Sequence, residues 1–411
     1  MRKVSGLVFY NLFIVLLLLE ITLRIFPNVI PPVILIHFEP TLRGEIAKGW
    51  LKTKDQVRNL DRDDGGPPLT VWKPFQSIVR VGKFVNPEND PGIVAQATMD
   101  ENGFCNVPGS HQVSPLDIIT IGDSFTWCHA VRPEDTWTKR ISDFTHLSTY
   151  NLGRGGIGLH EYLQILKQFG IQKSPRYVIM NVYEGNDLRD AVKFHKFQNR
   201  KTRGEVSTSS SKSWRKKSYL FLKNSLLGRH SYAFNLIFHF SHILKNPYKK
   251  GDFRYNLIFT ERSIPFNLEN SDLDEIKYAN RLFAKQIDLN VFDAALDSLM
   301  KLSQQHNFIP IVAYTPSAHT TYNQNVVFKD PHLANLMPWF SSEQRRYFKR
   351  KGDDLGYFFI DLTPSLQFVA QEYNTPEKLL YYQTNLHLTK YGNAVVAKTL
   401  SGAIQELNSQ N

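Results

Sequence analysis

The chain has 411 residues, 42% hydrophobic and 21% charged, with a formal net charge of +11. That balance excludes a disordered polymer and leaves room for one large α/β domain with an appendage, or for two modest domains. Two cysteines, Cys105 and Cys128, form neither a CxxC pair nor a Cys/His cluster, so no zinc site is expected.

Arg2 and Lys3 precede an apolar run from Leu7 to Leu19, broken only by Asn11 and followed by Glu20 and Arg24. Positive charge ahead of an apolar stretch predicts an N-inside orientation. The run is short against the roughly 17–25 residues of a spanning helix, and extending it to Phe26 sets Glu20 and Arg24 near the far interface. No small-x-small cleavage site follows. The expectation is an uncleaved signal anchor over residues 1–26, a single pass through the inner membrane, with the main domain in the periplasm. A buried helix is the alternative. Cys105 and Cys128 are read as buried free thiols rather than as a disulfide.

Residues 27–115 are rich in Pro, Gly and Asp, with turn signals at Asp64-Gly65-Gly66-Pro67-Pro68 and Pro91-Gly92. They read as an irregular lead-in packed on the main domain, with a short β-like run at Ser77–Val81. From residue 116 to 411 the pattern changes. Four apolar runs, Asp117–Ile121, Tyr177–Val182, Ile309–Tyr314 and Tyr357–Ile360, predict buried parallel strands. Helical periodicity occupies His160–Phe169, Ala279–Gln304 and Leu388–Leu407. Strand–helix alternation predicts an α/β fold, a doubly wound and mostly parallel sheet flanked by helices. Ligands of such sheets bind beyond the carboxyl ends of the strands.

A basic, partly helical insertion interrupts this domain over residues 191–271. Between Ala191 and Arg254 fifteen Lys or Arg stand against Glu205 and Asp252 alone, a local excess of thirteen. Attraction to an anionic surface and a solvated, partly disordered segment are both open readings. No nucleic-acid motif accompanies the charge.

Chemistry-bearing residues follow the strand runs. Gly122-Asp123-Ser124 leaves the first; Thr126 occupies the second glycine position of a G-x-S-x-G elbow, so this is not that motif. Gly153-Arg154-Gly155-Gly156-Ile157-Gly158 lets backbone approach a reacting group closely, and it lacks the Lys-Ser/Thr ending of a phosphate loop. Tyr183-Glu184-Gly185-Asn186-Asp187 can offer an amide N–H to an oxyanion. Asn385-Leu386-His387 opens the last helix, where an imidazole can reach the first strand's turn.

Together these four segments resemble the SGNH (GDSL-like) hydrolase superfamily, whose blocks supply Ser, Gly, Asn and His. The resemblance covers roughly Leu116–Asp190 and Asp272–Leu407. It implies Ser124 as nucleophile and oxyanion donor, Gly156 (or Gly153) and Asn186 as further oxyanion donors, and His387 as general base. It implies no cofactor and no metal. The family usually places Asp two or three residues before the His; here those positions hold Asn385 and Thr384. A Ser–His dyad oriented by a backbone carbonyl, an acid supplied by Asp361, or a weak site that mainly binds ligand remain open. Asp123 is set aside, because Ser124 beside it points elsewhere from the same turn.

Ser–His chemistry beside an oxyanion hole transfers acyl groups through an acyl-enzyme. The implied activity is an esterase or O-acyltransferase on acylated polysaccharide of the cell envelope. Alternatives are a non-catalytic glycan-binding or scaffold protein with a degenerate site, and a lipid-directed esterase using the basic insertion. Trp127, Trp137 and Tyr183 are candidates to stack on a sugar ring, or else to pack in the core.

Overall fold

The structure, a computed structural model, describes residues 2–26, 29–30, 38, 56–82, 93–129, 131–202, 225–245, 255–259, 262–266, 273–372, 378–382 and 386–410. The chain forms two compact units, residues 1–53 with 206–250, and residues 54–205 with 251–411. Residues 203–224, which hold much of the basic stretch, lie outside the described residues, as do Thr384 and Asn385.

In the first unit, the apolar run becomes the helix Arg2–Ile25, packed against the helix Tyr232–Lys245. Glu20 lies inside that helix and is committed to protein partners. It pairs with Arg24 at 2.8 Å and accepts from Ser231 Oγ and the Ala233 N–H at 2.8 and 2.9 Å. Among the described residues no helix is long and apolar enough to cross a membrane. The expected single-pass inner-membrane location is therefore corrected: the uncharged apolar run is short, and the carboxylate that ends it is part of a helix–helix contact.

The second unit begins with two hairpins where the sequence reads as irregular. β1 (Val57–Leu60) pairs antiparallel with β2 (Leu69–Trp72), and β3 (Ser77–Gly82) with β4 (Ile93–Thr98). Their inward residues Trp72, Ile78, Ala97 and Met99 form a small core with Cys105, Trp127 and Cys128. Cys105 and Cys128 are joined in a disulfide, which corrects the expectation of free thiols.

The central sheet contains β5 (Ile118–Ile121), β6 (Thr149–Asn151), β7 (Tyr177–Tyr183), β10 (Ile309–Thr315) and β12 (Phe358–Asp361), between which β8 (Tyr255–Phe259), β9 (Arg262–Phe266) and β11 (Val326–Phe328) form a separate antiparallel sheet. Its order is β12-β10-β7-β5-β6, and every neighbouring pair is parallel. All four predicted runs became strands of it. β7 and β5 are buried at every position, as expected of strands covered on both faces.

Successive side chains on these strands enter opposite cores. Ile119, Ile121, Val178, Met180 and Val312 face one core with the helices Leu159–Ile165, Asp293–His306 and Pro331–Leu355. Ile118, Ile179, Ile311 and Ala313 face the other, covered by Trp137–Thr145, Thr363–Glu372 and Lys390–Gln410. The predicted long helix Ala279–Gln304 is two helices, Leu273–Phe283 and Asp293–His306. The break falls where Lys285 takes φ 54° and Asp288 starts the next turn by accepting from the Asn290 N–H.

Candidate active site

Ser124 stands in the turn that leaves β5 at the carboxyl edge of the sheet. The turn closes on Asp123: its carboxylate accepts the Phe125 N–H at 2.8 Å, and its carbonyl accepts the N–H groups of Thr126 and Trp127. Asn151, at the end of β6, donates to the Thr126 carbonyl at 2.7 Å and binds the neighbouring strand's exit to the same turn.

His387 arrives from the other end of the chain. Tyr381 and Leu388 form an isolated antiparallel bridge, and the Tyr382 N–H donates to the His387 carbonyl at 2.8 Å. Leu386 takes φ 60°, which turns the chain just before the histidine. Thr389 then caps the last helix, its hydroxyl accepting from the N–H groups of Tyr391 and Gly392. His387 Nε2 lies 2.8 Å from Ser124 Oγ across 263 positions of sequence. The hydroxyl is also 3.4 Å from Asp123 Oδ2, so the imidazole is its nearer partner.

The imidazole is stacked against two flat rings, Phe125 with centroids 4.9 Å apart and His129 with centroids 3.5 Å apart. Phe125 in turn stacks on Tyr183 at 3.6 Å. Trp137, Trp127 and Tyr183 are exposed by only 0, 5 and 6%, so the three aromatics proposed for a sugar platform are packed in the core instead. Trp137 anchors the turn, its indole N–H donating to the Phe125 carbonyl at 2.9 Å.

The glycine loop runs beside the serine. An added Cβ at Gly153 would stand 2.5 Å from Trp127 N and 2.7 Å from the Thr126 carbonyl carbon, which is why this close approach of two backbones requires glycine. The Gly153 N–H is already donated to Asn151 Oδ1 at 2.8 Å, so Gly153 is not a free oxyanion donor. Gly155 faces the nucleophile, its Cβ direction meeting Ser124 Cβ at 3.5 Å, and Gly156 follows in the left-handed region at φ 79°. Gly155 was passed over in the sequence because four neighbouring glycines look alike.

Asn186 opens the helix Asp187–Thr202 and lies against Asp123 and Asp190, its amide donating to Asp190 Oδ2 at 3.3 Å. Burial, aided by the nearby Asp190, pushes the Asp123 carboxyl up to about 6, against hydrogen bonds from Phe125 N–H, Asn186 and Ser124 N–H. Asp187, behind it, is pushed well up by burial and by Asp123; it accepts from Tyr162 OH at 2.6 Å and from the Tyr183 N–H at 2.8 Å.

Asp361 is not brought to His387. It ends β12, three strand spacings from β5, which is about 14 Å. Its carboxylate pairs with Arg345 at 3.2 Å and accepts the Thr363 N–H at 2.9 Å. The suggestion that it orients the imidazole is corrected on that ground.

One group of donors with metal-ligand spacing occurs among the described residues: Glu184, Glu275 and His319, with ligand atoms within 4.8 Å of one another. Glu184 already accepts four hydroxyls, from Tyr314, Ser317, Thr320 and Ser341, at 3.0, 2.8, 2.5 and 2.8 Å. Burial holds His319 neutral, pushed down to about 3. Through these four hydroxyls Glu184 ties its loop to the chain after β10 and to the helix Pro331–Leu355.

No family model matches this sequence, and no curated protein matches it. Solved structures similar to the chain include a protein assigned to the G-D-S-L lipolytic family from Desulfitobacterium hafniense DCB-2, with 14% identity over 70% of this chain and 98% of that one, at a TM-score of 0.36. Axe2, an acetylxylan esterase from Geobacillus stearothermophilus, is 14% identical over 71% of this chain and 94% of its own, at 0.36. LAE5, an alpha/beta hydrolase enzyme from the metagenome of Lake Arreo, Spain, is 12% identical over 72% and 98%, at 0.37.

Proposed function

We propose that this chain is a serine-dependent ester hydrolase of the SGNH type, with Ser124 as nucleophile and His387 as general base. The observation that carries the reading is the 2.8 Å contact between His387 Nε2 and Ser124 Oγ. In the proposed reaction, Nε2 takes the hydroxyl proton as Oγ attacks the ester carbonyl. The proposed oxyanion donors are backbone N–H groups of the Gly155–Gly156 segment, joined by the Ser124 N–H once it turns from Asp123 and by the Asn186 amide once it turns from Asp123 and Asp190. Collapse of the tetrahedral intermediate expels the alcohol, which takes the proton back from His387. Water then enters by the same route in reverse and releases the acid. A sugar hydroxyl in place of that water gives an O-acyltransferase. Acylated carbohydrate is the proposed substrate, on the strength of the sequence resemblance.

Purified protein is expected to hydrolyse p-nitrophenyl acetate and to be labelled by a fluorophosphonate, and Ser124→Ala to abolish both. Equal signals from wild type and Ser124→Ala would leave a protein that binds glycan without cleaving it.

A further inference from the structure

We propose that His129 is a positioning residue for this reaction, its imidazole lying flat on that of His387, keeping the ring in line with Ser124 and linking its protonation to its own. The inference rests on the Ser124–His387 reading and adds to it the means by which the base is held and regulated.

Four rings form a column, Tyr183, Phe125, His387 and His129, with centroid separations of 3.6, 4.9 and 3.5 Å and interplanar angles of 17, 21 and 15°. Rings stacked on the imidazole resist its tilting, and the contact of Nε2 with Ser124 Oγ selects the orientation within its plane. His129 is itself held. Its N–H donates to the Trp127 carbonyl at 2.7 Å, the Trp127 indole meets its edge at 6.1 Å, and the preceding residue, Cys128, is bonded to Cys105. The disulfide thereby fixes the outer ring of the column.

The charge on His129 decides whether the stack helps or hinders. A neutral ring presents its π face to the imidazolium that forms on His387 during attack, a favourable contact. A protonated His129 sets two cations face to face, which disfavours that imidazolium. Among the described residues, the other titratable or charged groups near the pair include Asp123 beneath Ser124, Asp187 and Asp190 behind it, Tyr183 at the foot of the column, Tyr381 and Tyr382 on the segment that leads to His387, and the buried Arg154 of the glycine loop. His129 acts on His387 in direct contact. The two imidazoles therefore titrate as a coupled pair. Activity belongs to the state with both neutral. It is lost as pH falls through the first protonation of the pair, whichever ring takes that proton.

The test compares His129→Phe, which keeps a flat ring and removes the charge, with His129→Ala, which removes both. His129→Ala is expected to lower kcat on p-nitrophenyl acetate by about three- to tenfold with KM little changed, and His129→Phe to restore it. In wild type, the C–H signals of the two imidazoles, followed by NMR against pH, should each move in two steps; in His129→Phe the His387 signal should move in one. The acid limb of kcat/KM should simplify in the same variant. Wild-type kcat in His129→Ala, or a His387 titration unchanged in His129→Phe, overturns the proposal. If His129→Ala fails to fold, the His129→Phe titration decides alone. The NMR readout needs no turnover: coupled imidazoles in an inactive enzyme would remove the esterase reading and uphold the stack. Independent imidazoles in an active enzyme would do the reverse.

Discussion

Replacing Gly153 by alanine probes whether the meeting of the glycine loop and the serine turn is what makes the site. The new Cβ would lie 2.5 Å from Trp127 N and 2.7 Å from the Thr126 carbonyl carbon, both backbone atoms that cannot rotate away. Ordinary contact begins near 3.4 Å, so the two backbones must part by close to 0.9 Å. Overpacking of this kind costs about 1–3 kcal/mol of stability. The larger effect falls on catalysis, because a misplacement of ~1 Å in a positioned site costs on the order of 100-fold in rate. Gly156→Ala is the control. Nothing lies within 4 Å of its Cβ, although its φ of 79° adds strain of about 1–2 kcal/mol. The assay is kcat/KM for p-nitrophenyl acetate together with the rate of fluorophosphonate labelling, with urea unfolding run on the same samples. Gly153→Ala is expected to lose far more activity than Gly156→Ala at comparable stability. Wild-type labelling by a folded Gly153→Ala protein would refute the reasoning.

Removing the disulfide by Cys105→Ser with Cys128→Ser opens a loop of sequence separation 23, which loop entropy sets at about 3 kcal/mol. The unfolding midpoint in urea should fall accordingly, and reductant should have no further effect on the variant. For Asp123→Asn the sign follows from its raised carboxyl. Burial costs the ionised form stability, so the wild type gains from Asp123 below about pH 4 and loses that gain as pH rises through about 6. Asp123→Asn should therefore be more stable relative to wild type at pH 8 than at pH 4, by no more than about 3 kcal/mol. A stability difference that does not change with pH would show that Asp123 is not held neutral by burial.

Periodicity was a sound guide wherever a segment is buried on both faces. β5, β7 and β10 announce themselves as short apolar runs, because a covered parallel strand turns most of its side chains into a core on either side; β12, at the sheet edge and only partly buried, keeps an apolar run without that cover. β6 escaped notice because three residues, Thr149 to Asn151, are too few to show a period. The hairpins β1–β2 and β3–β4 are cut by turns every few residues, and composition registers the turns rather than the pairing. An apolar run is also ambiguous about what covers it, and in the helix Arg2–Ile25 the partner of Glu20 is Ser231, more than two hundred positions away.

The site divides along the same line. Ser124, the glycine loop, Asn186 and His387 were singled out as candidates because each follows a strand run or opens a helix and because their order resembles the four blocks of the SGNH superfamily. His129 was not legible, since it has no motif and its meaning comes only from the ring it lies on. Nor was the Cys105–Cys128 bond, or the commitment of Asp361 to Arg345. By itself the sequence determined which residues could do chemistry and at which strand ends they would stand, because those are properties of local backbone and burial. Only the tertiary structure decided which of them meet. A stack, a disulfide and an ion pair each depend on the position of two distant segments to within an ångström, and no local preference of either segment carries that information.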